Sequence, residues 1–121
     1  MDSVISVDTD VLFLSDPELF WRNFEKFNQS QIAGLSKDDN DPNGWYKIHS
    51  RVPLYGNNGL NAGVMLLNLT RMREFKFTDK IITYYPEYKD KLMLGDQCLI
   101  NIFFHFNPGN SAIKIVFWLK K

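Results

Sequence analysis

The sequence predicts an α/β fold, a mostly parallel or mixed sheet flanked by helices. Three observations carry that expectation. Val4, Ile5 and Val7 before Asp8, and Val11 to Leu14 after Asp10, form a β-branched, nearly continuous apolar run. Such a run suits a strand covered on both faces. Asp16-Pro17 is a helix start, and Leu19, Phe20, Phe24 and Phe27 follow at near-helical spacing. Val64 to Leu67 is apolar enough for an interior strand and leads into a segment that Thr70 can cap as a helix.

The chain has 121 residues, enough for one modest core and not for two full domains. Hydrophobic residues make up 45% and aromatic residues 15%, which excludes a disordered segment. Fourteen basic and 14 acidic residues cancel, which argues against a basic nucleic-acid surface. Cys98 is the single cysteine, so no internal disulfide forms. No apolar run reaches the ~18 residues of a membrane helix, and acidic Asp2 without a basic region does not read as a signal peptide. The first strand begins with nothing before it, and the chain stops just after the run Ala112 to Leu119, a pattern that suits a complete domain and suits a fragment at least as well.

The remaining elements follow in order. Leu19, Phe20, Phe24 and Phe27 make one apolar stripe, expected to pack a helix on the sheet, with Trp21 at its border. Gln31 to Leu35 suits a short strand and Ser36 to Gly44 a polar loop. Asp39-Asn40-Asp41-Pro42-Asn43-Gly44 imitates the first half of a calcium loop. Ser50 stands where the bidentate Glu belongs and Lys47 adds positive charge, so a solvated loop is expected. Trp45, Tyr46, His49, Arg51 and Tyr55 form a polar-aromatic cluster that suits a sugar, a nucleobase or plain packing. Gly56 to Gly59 permits a sharp reversal. Met72, Phe75 and Phe77 read as core, and Arg71 and Arg73 as a solvated helix face within reach of phosphate. Phe77 to Tyr85 is expected to be one helix ending near Pro86, with Glu87 to Lys91 facing solvent. Gly95 and a capping Asp96 then start a helix that buries Leu99, Ile102 and Phe103, with Cys98 as a small apolar residue. His105 to Asn110 is a connection and Ala112 to Trp118 a last strand.

The chemistry centres on Asp8 and Asp10. In an extended chain their carboxylates share one side, and a tight bend at a strand end brings them closer. A carboxylate pair can hold a divalent cation whose other positions take phosphate oxygens and waters. A solvated strand end is the competing reading, and neither His49 nor His105 is placed by sequence as a third ligand. Downstream, Asn61 offers a donor and an acceptor, and the small Ala62 and Gly63 let a ligand approach the backbone.

Taken together, Val7-Asp8-Thr9-Asp10-Val11-Leu12-Phe13-Leu14, Asn61-Ala62-Gly63-Val64-Met65-Leu66-Leu67-Asn68-Leu69-Thr70-Arg71-Met72-Arg73 and Gly95-Asp96-Gln97-Cys98-Leu99-Ile100-Asn101 resemble family 8 retaining glycosyltransferases. Gly44-Trp45-Tyr46 and Arg51-Val52-Pro53-Leu54-Tyr55-Gly56 are similar to the glucoside xylosyltransferase branch. The resemblance implies a partial Rossmann-like nucleotide-sugar fold, with residues 1–121 as the central part of a catalytic domain. It implies transfer of xylose from UDP-xylose, with retention, to O-linked glucose on EGF-like repeats, by a type II Golgi membrane protein with a lumenal catalytic domain. Manganese would assist the UDP leaving group. Asp8 and Asp10 would bind it and the diphosphate. Asn61, Ala62 and Gly63 would line the sugar site, Asp96 would hold the donor sugar, and Gln97 would lie near its reacting carbon. The resemblance also places a nucleotide-binding strand before the acidic pair and a metal-binding histidine after it, beyond the two ends of this chain. Gln97 is chemically a poor nucleophile, so a positioning and electrostatic role is expected.

Two other readings stand beside this one. A noncatalytic carbohydrate- or nucleotide-binding remnant keeps the fold without turnover. A metal-dependent phosphatase also sets Asp-x-Asp after a hydrophobic strand, although Leu12 stands where that motif wants Thr or Val. The sequons at Asn28 and Asn68 suit a glycoprotein of the secretory pathway.

Overall fold

The computed structural model describes residues 2–39, 43–108 and 113–115. Among them four strands form one mixed sheet in the order β1-β3-β2-β4: β1 (Ser3–Val7), β2 (Ala33–Lys37), β3 (Leu60–Asn68) and β4 (Ile113–Ile115). β3 runs antiparallel to both β1 and β2, while β4 runs parallel to β2. The expected sheet is therefore present in its mixed form.

β3 organises the sheet because its side chains alternate. Leu60, Ala62, Val64 and Leu66 are buried, and the residues between them are half-buried. Under it lies α6 (Asp96–Phe106), which buries Cys98, Asn101, Ile102, Phe103 and Phe104. Phe103 is the hub, with ring centroids 4.6 Å from Phe77, 5.1 Å from Phe104 and 6.0 Å from Phe75. It shares one core with Ile32, Leu35 and Leu60. Tyr46, Val52, Tyr88, Cys98 and Ile102 form a second core.

Beside the first core the ladder of β2 and β3 slips. Leu35 pairs with Met65 but Ser36 pairs with Asn61, so Ala62, Gly63 and Val64 have no partner on β2. Such a bulge re-aims backbone and side chains. It falls on the Asn-Ala-Gly segment.

Several elements differ from expectation. β1 stops at Val7, and the Val11 N–H donates to the Asp8 carbonyl at 3.2 Å, closing a turn across the acidic pair. Val11 to Leu14 lies outside any strand, with Leu12 and Leu14 about four-fifths exposed. β1 is half-buried rather than covered on both faces, because it is an edge of the described sheet. Asp16 caps α1 (Pro17–Trp21) as expected, its carboxylate accepting the Glu18 N–H at 2.9 Å. The chain then tightens into a 3₁₀ turn, Arg22–Lys26. At three residues per turn, side chains three apart stand over one another. Trp21, Phe24 and Phe27 therefore follow one another along one side, Trp21 edge-on to Phe24 and Phe24 tilted on Phe27, with centroids 4.8 and 5.2 Å apart, while Leu19 is exposed.

Asn68, not Thr70, caps α3 (Leu69–Glu74): its side chain accepts the Arg71 N–H, and the Thr70 hydroxyl donates to Asp2 instead. The expected helix from Phe77 breaks into α4 (Phe77–Ile81), a 3₁₀ turn and α5 (Tyr85–Tyr88). Pro86 sits in the first turn of α5, where its missing N–H costs nothing. Tyr88 is buried within the stretch expected to face solvent. Gly95, rather than Asp96, precedes α6, and α6 extends through His105 and Phe106. Trp45 to His49 forms a short helix, α2. Asn40, Asp41 and Pro42 of the calcium-like loop, and Ala112 and residues 116–118 of the expected last strand, lie outside the described residues.

Candidate functional site

The acidic turn and the Asn-Ala-Gly segment form one corner. Pairing of Val7 with Val64 delivers Asp8 beside β3, where the Asp8 N–H donates to the Gly63 carbonyl at 2.8 Å. The Asn61 side chain folds back and accepts the Gly63 N–H at 2.9 Å. A methyl group added at Gly63 would stand 3.2 Å from Asp8 Oδ2 and 3.0 Å from Asn61 Oδ1. The Gly63 backbone is ordinary strand, so glycine is required here by space and not by dihedral angle.

Asp8 and Asp10 are exposed at the turn. Among the described residues, no three of His, Cys, Asp or Glu gather to hold a metal. The pair suits a hard divalent cation whose coordination is completed by diphosphate oxygens and waters. The histidines are used elsewhere. His49 Nδ1–H donates to the Trp45 carbonyl at 2.8 Å and its ring stacks on Trp45, while His105 Nδ1–H donates to the Leu54 carbonyl at 2.9 Å.

An open cleft of about 670 Å³ lies beside the corner. Asn61, Gly63 and Ser36 line it from the sheet, Leu12 and Leu14 from the segment after the acidic turn, and Asp16, Asn23 and Lys26 from α1 and its flanks.

α6 contributes from below. Gln97 Oε1 accepts the Ala62 N–H at 3.1 Å and its Nε2 donates to Asp38 Oδ2 at 3.1 Å. Asp38 itself is anchored by its N–H to the Gly59 carbonyl at 2.9 Å. Gln97 therefore bridges β3 and the end of β2. Asp96 is exposed in the first turn of α6, its Oδ1 accepting the Gln97 N–H at 2.9 Å. Thus Asp8, Asn61 and Gly63 meet directly, and Gln97 joins them through Ala62. Asp10 and Asp96 are exposed, and no hydrogen bond ties either to Asn61, Gly63 or Ala62.

Other candidates resolve as structure. Arg71 Nη1 donates to the carbonyls of Asn28 and Gln31 at 2.6 and 2.9 Å, tying α3 to the approach to β2 rather than presenting a solvated face. Tyr46 is buried, its hydroxyl donating to Cys98 Sγ at 3.3 Å, so it belongs to packing while Trp45 and His49 stay exposed. Burial first, then the contact with Cys98, pushes the Tyr46 phenol well above its ordinary ionisation range. Asn28 is exposed, whereas Asn68 is half-buried and engaged as the cap of α3.

Asp38 reads from the sequence as one more loop acid, and Asn101 as the last residue of the Gly95 to Asn101 motif with no role of its own. The available signal was Gln97 and Asn101 one helical turn apart, with Asn101 inside the run Cys98 to Phe104. Two amides at i and i+4 share a helix face.

Comparison with known proteins gives the family. The Glycosyl transferase family 8 model matches residues 1–115. The chain is 41% identical to human glucoside xylosyltransferase 1 over 93% of its own length and 28% of the relative's. It is 40% identical to mouse glucoside xylosyltransferase 2, over 89% of this chain and 27% of that protein. It is 34% identical to the zebrafish xylosyl- and glucuronyltransferase LARGE2s, over 89% of this chain and 15% of that protein. The crystal structure of mouse xyloside xylosyltransferase 1, apo form, matches with a TM-score of 0.66 at 21% identity. That match covers 96% of this chain and 46% of the other, and supports a partial glycosyltransferase fold. The chain thus spans under a third of the length of the glucoside xylosyltransferases it matches. On the match over residues 1–115, this chain belongs to glycosyl transferase family 8.

Proposed function

We propose that residues 1–121 are the central part of a retaining xylosyltransferase domain that takes xylose from UDP-xylose. The acceptor is O-linked glucose on EGF-like repeats, and the setting is the lumenal side of the Golgi membrane. The observation that carries the reading is the meeting of Asp8, Asn61 and Gly63, from widely separated stretches, at the edge of an open cleft. The similarity to glucoside xylosyltransferases supports the choice of sugar and acceptor. Family membership displaces the phosphatase alternative.

In this reading Asp8 and Asp10 would hold manganese, and through it the UDP diphosphate. Manganese, when bound, offsets the charge that develops on the departing diphosphate. Asn61 and the Ala62-Gly63 backbone line the sugar, and the bare Cα of Gly63 leaves room for the Asp8 and Asn61 side chains that meet beside it. Asp96 accepts sugar hydroxyls from the first turn of α6. Both ends of the Gln97 amide are engaged, by the Ala62 N–H and by Asp38. A tethered neutral amide orients and polarises; it does not attack. The incoming hydroxyl then enters on the face the diphosphate leaves and gives its proton to the departing oxygen, so the product keeps the donor's anomeric configuration.

The test is xylose transfer by the full-length protein from UDP-xylose to a glucoside acceptor, with a xyloside acceptor and UDP-glucose alongside. Preferred transfer of xylose to the glucoside is expected. Manganese-dependent binding of UDP-xylose without transfer to either acceptor would favour the binding remnant.

A further inference from the structure

α6 faces β3 with a second amide that has no assigned task. Asn101 is fully buried, and its carboxamide holds Leu60 by both backbone groups. Oδ1 accepts the Leu60 N–H at 2.7 Å, and Nδ2 donates to the Leu60 carbonyl at 3.0 Å. This is the paired bond a neighbouring strand would offer. Oδ1 also accepts the Tyr55 N–H at 3.3 Å, and Nδ2 donates to the Gln97 carbonyl at 2.9 Å. One side chain thereby ties together the loop before β3, the start of β3 and the turn of α6 that carries Gln97.

The place where this happens matters. β1 leaves the sheet at Asp8, and the pairing of β2 with β3 slips from Leu35 to Ser36. Leu60 and Asn61 keep partners on β2, Lys37 and Ser36, but have none on β1, while Ala62 and Gly63 have no partner on β2. Side-chain amides bond the backbone along this stretch: Asn101 at Leu60, Gln97 at Ala62 and Asn61 at Gly63. Gly59 seals the arrangement. It has φ +82°, and a methyl group there would meet Asn101 Oδ1 at 3.0 Å. A buried amide with both ends satisfied has one low-energy orientation, which makes it a stiff reference point.

We propose that Asn101 is a positioning residue for sugar transfer: it sets the height and orientation of Asn61-Ala62-Gly63, and of Gln97, against the donor sugar. The proposal rests on the glycosyltransferase reading above. Asn101 touches no substrate, and its effect passes through Leu60 and Gln97. The acidic turn, which holds the diphosphate in that reading, hangs on β1 and does not depend on it directly. Sugar transfer and nucleotide binding are therefore expected to separate.

The experiment compares Asn101→Asp with Ile102→Ala in the full-length protein. Asn101→Asp keeps an oxygen for the Leu60 N–H and removes the donor to the Leu60 and Gln97 carbonyls. Ile102→Ala opens a void on the same helix without touching these bonds. For Asn101→Asp, kcat per folded molecule falls about 10- to 100-fold, as for a misplacement near 1 Å. The affinity for UDP with manganese stays within about twofold of the unsubstituted protein, below the tenfold that marks a lost 1.4 kcal/mol. Amide hydrogen exchange quickens at residues 59–63 and not at Ala33 to Leu35. Ile102→Ala lowers the melting temperature and leaves kcat per folded molecule unchanged. Equal losses of kcat in both variants would reduce Asn101 to a packing residue and overturn the proposal. Loss of UDP affinity in parallel with kcat would overturn it too. Absence of transfer by the unsubstituted protein would remove the reading beneath it, and is seen before any variant is made.

Discussion

The corner has two sides built on opposite principles. On one side, α6 clamps the start of β3: Asn101 and Phe103 are wholly buried, and no buried side-chain polar atom among the described residues lacks a partner. On the other, the acidic turn and the segment after it are open, with Asp8, Asp10, Leu12 and Leu14 exposed. The fixed side can hold a neutral sugar, whose recognition depends on exact hydrogen-bond geometry. The open side suits a charged diphosphate and its cation, which attract from a distance and complete their own shell. Tight construction is spent where the ligand supplies least order.

The contrast can be broken first by stability. Phe103→Ala removes the hub of the core and is expected to cost about 3–5 kcal/mol. Leu14→Ala, at an exposed position, is expected to stay within about 0.5 kcal/mol. Urea denaturation of the two variants measures both, and similar costs would mean that the N-terminal segment is packed after all.

A smaller effect is expected at the seam between the two sides. Gly63→Ala forces Asp8 and Asn61 apart in a crowded strand, costing about 1–3 kcal/mol of stability. Its binding of UDP-xylose should fall more steeply than its stability, read by titration at a temperature where the protein stays folded. Unchanged binding would show that Asp8 and Gly63 do not share a ligand.

The smallest effect is expected within the clamp, at high pH. The buried Tyr46 phenol ionises later in the folded chain than the ordinary ~10 of the unfolded one. Its contribution to stability is therefore whole below about pH 10 and is lost as pH rises beyond it. Tyr46→Phe should cost roughly 1 kcal/mol near neutrality, for the lost hydroxyl bonds, and should flatten the alkaline slope. Denaturation across that range, with both proteins, reads the difference.

These two sides were not equally legible in the sequence. The helix start at Asp16-Pro17, the interior strand at Val64 to Leu67 and the buried Ile102 and Phe103 were readable, because capping and apolar patterning are local. Asp8, Asn61 and Gly63 were readable as candidate site residues, from their chemistry and from the family resemblance. Their contact depends on the pairing of Val7 with Val64, which no local pattern reveals. The aromatic stripe was misread because Trp21, Phe24 and Phe27 follow a period of three, and the α-helical period was assumed. Asn101 and Asp38 were missed because their partners are backbone and side-chain groups of distant strands and helices, brought into reach only by the fold.

In the proposed reading the acidic turn and the Asn-Ala-Gly segment form a sugar-nucleotide corner that works through a divalent cation. Calorimetric titration of the full-length protein with UDP-xylose, with and without manganese, tests this most directly when repeated on Asp8→Asn. Binding is expected to require manganese and to fall by about tenfold or more in Asp8→Asn, the loss of one charged contact. Equal binding without manganese, unchanged by the substitution, would contradict it.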